Sequence, residues 1–87
     1  MSDLSRYYLS GEEIHAGDHV RYGGLPGRIV IVLGFGEFFP EFTEAKDWFY
    51  KEYGQGFMVD QEGGGLFFLD ESDEDLEFTS RGKVDAS

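Results

Sequence analysis

Polar and apolar positions alternate along residues 19–22 (HVRY) and again along 76–79 (LEFT). Between them lie three short apolar-rich runs: 28–33 (RIVIVL), 57–60 (FMVD) and 66–69 (LFFL). Alternation of period two is the mark of a half-buried strand, and short apolar runs bounded by turn residues mark strands covered more fully. The boundaries are clear. Gly17-Asp18 opens the first run, Gly23-Gly24-Leu25-Pro26-Gly27 separates it from the second, and residues 54–56, 62–65 and 70–75 separate the rest. Gly supplies positive φ, and Pro presets the turn value. Residues 14–33 therefore read as a hairpin on which the rest packs. In its second strand Ile29, Ile31 and Leu33 share one face and Arg28, Val30 and Val32 the other. Both faces are largely apolar, as in a central strand whose outer side is covered. Gly34 and Gly36 weaken that strand and allow a bend.

Residues 35–53 (FGEFFPEFTEAKDWFYKEY) break the pattern. Eight of the chain's aromatic residues fall in this stretch: Phe35, Phe38, Phe39, Phe42, Trp48, Phe49, Tyr50 and Tyr53. Pro40 interrupts any continuous helix or central strand. Thr43 is placed to cap a short helix over residues 44–51, with acids in its first turn. An insertion of this length between strands is long, and long loops are disproportionately functional. Its rings have two uses, closing the core or facing outward as interface anchors.

Five short strands with turns between them and little helix predict a mainly β fold, a small antiparallel barrel with a short helix or irregular aromatic insertion. The pattern Gly17-Asp18-x-Val20-x-Tyr22 followed by Gly24-x-x-Gly27-x-Ile29 resembles SH3-like small barrels, including KOW and Tudor-type modules. The resemblance implies that the Gly-Asp turn opens a strand, that a hydrophobic pair points inward, and that the second glycine lets the chain curve. One domain spans residues 1–87, with an ordered body over about 7–79 and flexible tails at 1–6 and 81–87.

Charge changes the picture of function. The net charge is −11, with residues 1–33 near neutral and residues 34–87 carrying almost all of the excess. Five acids fall in six residues: Asp70, Glu71, Asp73, Glu74 and Asp75. Asymmetry of this kind suggests a partner of opposite sign. In size and charge the chain resembles bacterial toxin-immunity proteins, whose targets are often basic. That resemblance implies a non-catalytic module binding a basic protein, steered by Asp70, Glu71, Asp73, Glu74 and Asp75 and anchored by Phe38, Phe39, Trp48 and Tyr50. The alternatives are a nucleic-acid- or ribosome-associated module, which needs Arg6, Arg21 and Arg28 to form a basic patch, and an adaptor reading peptides through an aromatic groove. Nucleic acid is not the expected partner, since phosphate neutralisation needs clustered bases. No apolar run is long enough for a membrane span, and residues 1–13 lack the features of a signal peptide, so a cytoplasmic location is expected.

No enzyme motif emerges, and no cofactor is expected. The chain has no Cys, which removes disulfides and Cys-based zinc sites. His15 and His19 are four apart, but Gly17-Asp18 interrupts the helix that spacing would need. The 70–75 run has Asp75 where a calcium loop requires Gly and Arg81 where it requires Glu. Neither glycine cluster leads into the Lys-Ser/Thr and helix of a phosphate loop.

Overall fold

The protein is described by a computed structural model over residues 4–82. Two-residue turn chemistry sets its first hairpin. Gly23 and Gly24 both have positive φ, 61° and 87°, as the tight turn between twisted strands requires. Tyr22 pairs directly with Leu25, so β1 (His19–Tyr22) leads into a β2 (Leu25–Val32) that starts three residues before the expected Arg28. Pro26 is tolerated there because its carbonyl accepts the Glu62 N–H from the β4 side, where β2 has just run past its last β4 pair; the missing N–H faces the same way.

After β2 come a 3-10 turn (Leu33–Phe35), the two-residue β3 (Glu37–Phe38), a 3-10 helix (Pro40–Ala45) and α1 (Lys46–Glu52). Strands β4 (Phe57–Gln61), β5 (Gly65–Leu69) and β6 (Leu76–Ser80) complete the chain. The sheet is antiparallel with the order β5-β4-β2-β1-β6, and β3 pairs with the end of β2.

The helical insertion departs from its expected form. Thr43 does not cap a helix; its hydroxyl donates to the Phe39 carbonyl, and α1 starts after Ala45. Pro40 opens the preceding 3-10 helix at its first turn, where no N–H is needed, instead of breaking it.

Strand β2 is central and covered on both faces. Ile29 pairs with Val59 and Ile31 with Met58, so Val30 is an extra residue in a bulge. The bulge resets the alternation expected from the sequence. Ile29 and Val32 enter one cluster with Tyr8, Ile14, Val20, Phe57, Val59 and Leu76. Val30 and Ile31 enter a second with Leu33, Phe49 and Met58, backed by Phe38, Phe39 and Phe42 of the insertion. Burying a side chain such as Phe49 is worth roughly 1.5–3 kcal/mol, so the insertion is held on the sheet by its own rings.

The sheet does not close, and the expected SH3-like barrel is corrected on this point. Strands β5 and β6 are the two edges and do not pair. The side of the core between them is filled by the N-terminal segment. Tyr8 and Ile14 are fully buried in the first cluster, and Ser72, on the connection between the edges, bonds to the carbonyls of Leu4 and Tyr7. The fold is thus an open mixed one, mainly β with a helical insertion, and not an all-β barrel. The likeness to toxin-immunity proteins, drawn from size and charge alongside an all-β barrel, is set aside with it. The physical reason is general: a period of two reports that one face of a strand is buried, and an open curled sheet satisfies it as well as a closed one.

Candidate partner-binding surface

The insertion sorts its rings by depth. Phe49 is buried against the β2–β4 face, with Phe42 edge-on at 6.4 Å and Trp48 edge-on at 5.0 Å. Phe38 and Phe39 are half-buried, and Phe38 lies between Phe49, Tyr50 and the Lys46 ammonium. Tyr50 stands at the surface but is fixed, its hydroxyl donating to the Leu33 carbonyl at 2.9 Å. Trp48 is 52% exposed and Tyr53 is 40% exposed. Tyr53 stacks on Phe68 of β5 at 3.8 Å and meets Trp48 edge-on. Tyr53 belongs with the exposed rings, although sequence reasoning did not select it; its position five residues after Trp48, past the end of α1, concealed the contact.

The acidic connection is built on two anchors. Ser72 is buried and bonded to the N-terminal segment. Asp73 accepts the Tyr22 hydroxyl at 3.2 Å and the Asp75 N–H at 2.9 Å, so it is a turn-forming residue as much as a surface charge. Burial and the Asp73 carboxylate together push the Tyr22 phenol above its ordinary pKa. Asp70, Glu71, Glu74 and Asp75 are exposed.

The nine residues expected from the sequence to meet a partner, Phe38, Phe39, Trp48, Tyr50 and the five acids of 70–75, do not form one patch. Asp70 lies beside Gly56, where an added Cβ would come within 3.1 Å of the Asp70 Cα, and Gly56 follows directly on the helical insertion. Phe68, two residues before Asp70, carries Tyr53. The exposed rings and the start of the acidic connection therefore share the β5 side of the molecule. Glu74 and Asp75 lie at the other end, around an open hollow of about 320 Å³ that they share with Arg21, Gly23, Gly24 and Glu77. There the Asp75 carbonyl accepts the Gly23 N–H.

A second group of charges was not selected from the sequence. Asp18 is fully buried and accepts the Tyr8 hydroxyl at 2.7 Å, the His15 N–H at 3.0 Å and the Arg81 guanidinium on both oxygens, at 2.9 and 3.0 Å. Arg81, placed by sequence reasoning at the start of a flexible tail, also bonds to the Glu13 carbonyl and lies over the Phe78 ring. Positions 83–87 of that tail, and positions 1–3 of the other, lie outside the described residues. Burial, then the Asp18 carboxylate, drives the Tyr8 phenol far above its ordinary pKa, so it remains a donor. Beside this group, His15 bonds to Glu37 at 2.8 Å and Glu13 at 2.9 Å and stacks on Phe35. Burial works against the imidazolium, but the hydrogen bonds to the two carboxylates outweigh it and raise the His15 pKa.

The contacts of this group join separate parts of the chain. Glu13 and Glu37 contact opposite nitrogens of the imidazole and share no point with it. Among the described residues, no three His, Asp or Glu side chains could hold a metal ion. His19, the other half of the four-residue pair, stands exposed on β1. The group ties the N-terminal segment, the β1 entry, β3 and the residue after β6 to one another. Comparison with family models, with curated proteins and with solved structures gives no match.

Proposed function

We propose that this protein is a non-catalytic acidic module that binds a basic protein partner. The observation that carries the reading is the contiguity of the exposed Trp48 and Tyr53 with the start of the acidic connection at Asp70 and Glu71. Rings of this kind are the usual anchors of an interface, and rim charges set the encounter rate. The net charge of −11 favours a cationic surface and disfavours nucleic acid, whose affinity comes largely from phosphate neutralisation.

The test begins with affinity capture from cell lysate, followed by stopped-flow association with the purified captured protein. A basic captured protein, an association rate falling steeply with salt, slower association of Asp70→Asn/Glu71→Gln, and faster dissociation of Trp48→Ala are the expected results. A salt-independent rate that none of these changes alters would overturn the reading. So would micromolar binding to duplex DNA or RNA at physiological salt.

A further inference from the structure

Strand β5 is an edge without the usual protection. Antiparallel pairing with β4 uses the backbone groups of alternate residues, and the others point outward, a ready template for another strand. Among the described residues, β5 is bonded on one side only. Proteins blunt such edges with lysines, prolines, bulges or very short strands. The sequence of β5, GLFFL, has no charge and no Pro, and its five pairs with β4 run without a register shift. Leu66 is 50% exposed on it. The opposite edge, β6, differs: it carries Glu77 and a Thr79 hydroxyl already donated to His19, and its pairing with β1 is irregular.

We propose that β5 is a docking edge on which an extended basic segment of the partner adds as a further strand. This deepens the function proposed above and rests on it. The occupant follows from charge. Glu62 precedes the hairpin into β5, Asp60 stands opposite Leu66 on β4, and Asp70 and Glu71 follow the strand. An apolar edge with acids at both ends matches a segment whose apolar side chains alternate with Lys or Arg. A second copy of this chain would bring another net −11 to the same edge. Tyr53, stacked on Phe68, and Trp48 beyond it supply the apolar wall beside the added strand. Backbone bonds give such augmentation its affinity, and alternate side chains give its specificity.

The probe is a synthetic decapeptide of alternating Lys and Val, compared with the same peptide N-methylated at alternate residues. N-methylation removes the pairing N–H groups and leaves the charge unchanged. Binding is followed by amide shifts and amide exchange of the isotopically labelled full chain. The expected result has three parts: exchange at residues 65–69 slows when peptide is added, N-methylation weakens binding by roughly tenfold or more, and Leu66→Lys, at a half-exposed site the fold tolerates, weakens it similarly. Equal binding of both peptides, with shifts confined to residues 46–53 and 70–75, would overturn edge pairing and leave the acidic-module reading standing. No binding at millimolar peptide would overturn the edge, whereas the acidic module is judged by the salt dependence of the captured partner. Full protection of residues 65–69 in the free monomer, or a dimer in sedimentation that Leu66→Lys abolishes, would give the edge another occupant and overturn the proposal.

Discussion

Replacing Arg81 by Met separates the buried charge from its counter-ion and also removes the guanidinium that lies over Phe78. In the native protein one guanidinium nitrogen bonds to both oxygens of Asp18 and to the Glu13 carbonyl. Asp18 is fully buried, whereas the Arg81 side chain is 42% exposed. The loss is therefore smaller than the roughly 3–5 kcal/mol of breaking a fully buried pair. Asp18 retains the Tyr8 hydroxyl and the His15 N–H, and a hydrogen bond to a charged group is worth about 1.5–3 kcal/mol. We expect a loss of about 2 kcal/mol, which for a domain of this size lowers the melting temperature by about 10 °C. The assay is urea and thermal unfolding of Arg81→Met, Asp18→Asn and the double variant. Asp18→Asn alone weakens the bonds from Tyr8 and Arg81. In the Arg81→Met background it removes an uncompensated charge and keeps an acceptor, so the double variant should be more stable than Arg81→Met by about 1 kcal/mol. A loss below about 0.5 kcal/mol in Arg81→Met, or two losses that simply add, would show that Asp18 is not held by this ion pair.

Three further outcomes follow from the same geometry. His15 has a raised folded pKa, so its contribution to stability is fully present below the unfolded value of 6.5 and is lost as pH rises through the folded value; urea midpoints of wild type and His15→Gln should converge above that window and separate below it, and parallel curves would refute the linkage. Gly56 has a φ of 108° and an added Cβ would stand 2.5 Å from the Leu69 carbonyl, so Gly56→Ala should cost at least about 2 kcal/mol by urea unfolding; Gly27 has no positive φ but lies 3.1 Å from the Val59 side chain by the same measure, so Gly27→Ala should cost less, about 1 kcal/mol. Asp70→Asn/Glu71→Gln should leave the unfolding midpoint unchanged or slightly raised, whereas Asp73→Asn should lower stability by about 1 kcal/mol because it weakens the bonds from Tyr22 and the Asp75 backbone; equal effects would mean that Asp73 has no special place in the turn.

The sequence by itself located five of the six strands, though not the early start of β2 at Leu25 or the short β3 at Glu37–Phe38. Alternation in HVRY and LEFT, the apolar run through Ile29 to Val32, and the glycine-marked turns are local properties, and each became a strand or a turn at that place. It also located the aromatic insertion, and left open which of its rings close the core and which face outward. The tertiary structure decided the rest. Strands β5 and β6 follow one another in the chain, yet β6 pairs with β1 from the other end of it, and no local pattern records that partner; the N-terminal segment, with Tyr8 and Ile14, fills the core between the two edges. The bulge at Val30 changed which apolar side chains share a face, because a single inserted residue reverses a period of two. The Asp18 group was hidden because Arg81 is far from it in sequence, and a turn aspartate reads as exposed until the guanidinium that holds it arrives from the other end of the chain, just past the neighbouring strand β6.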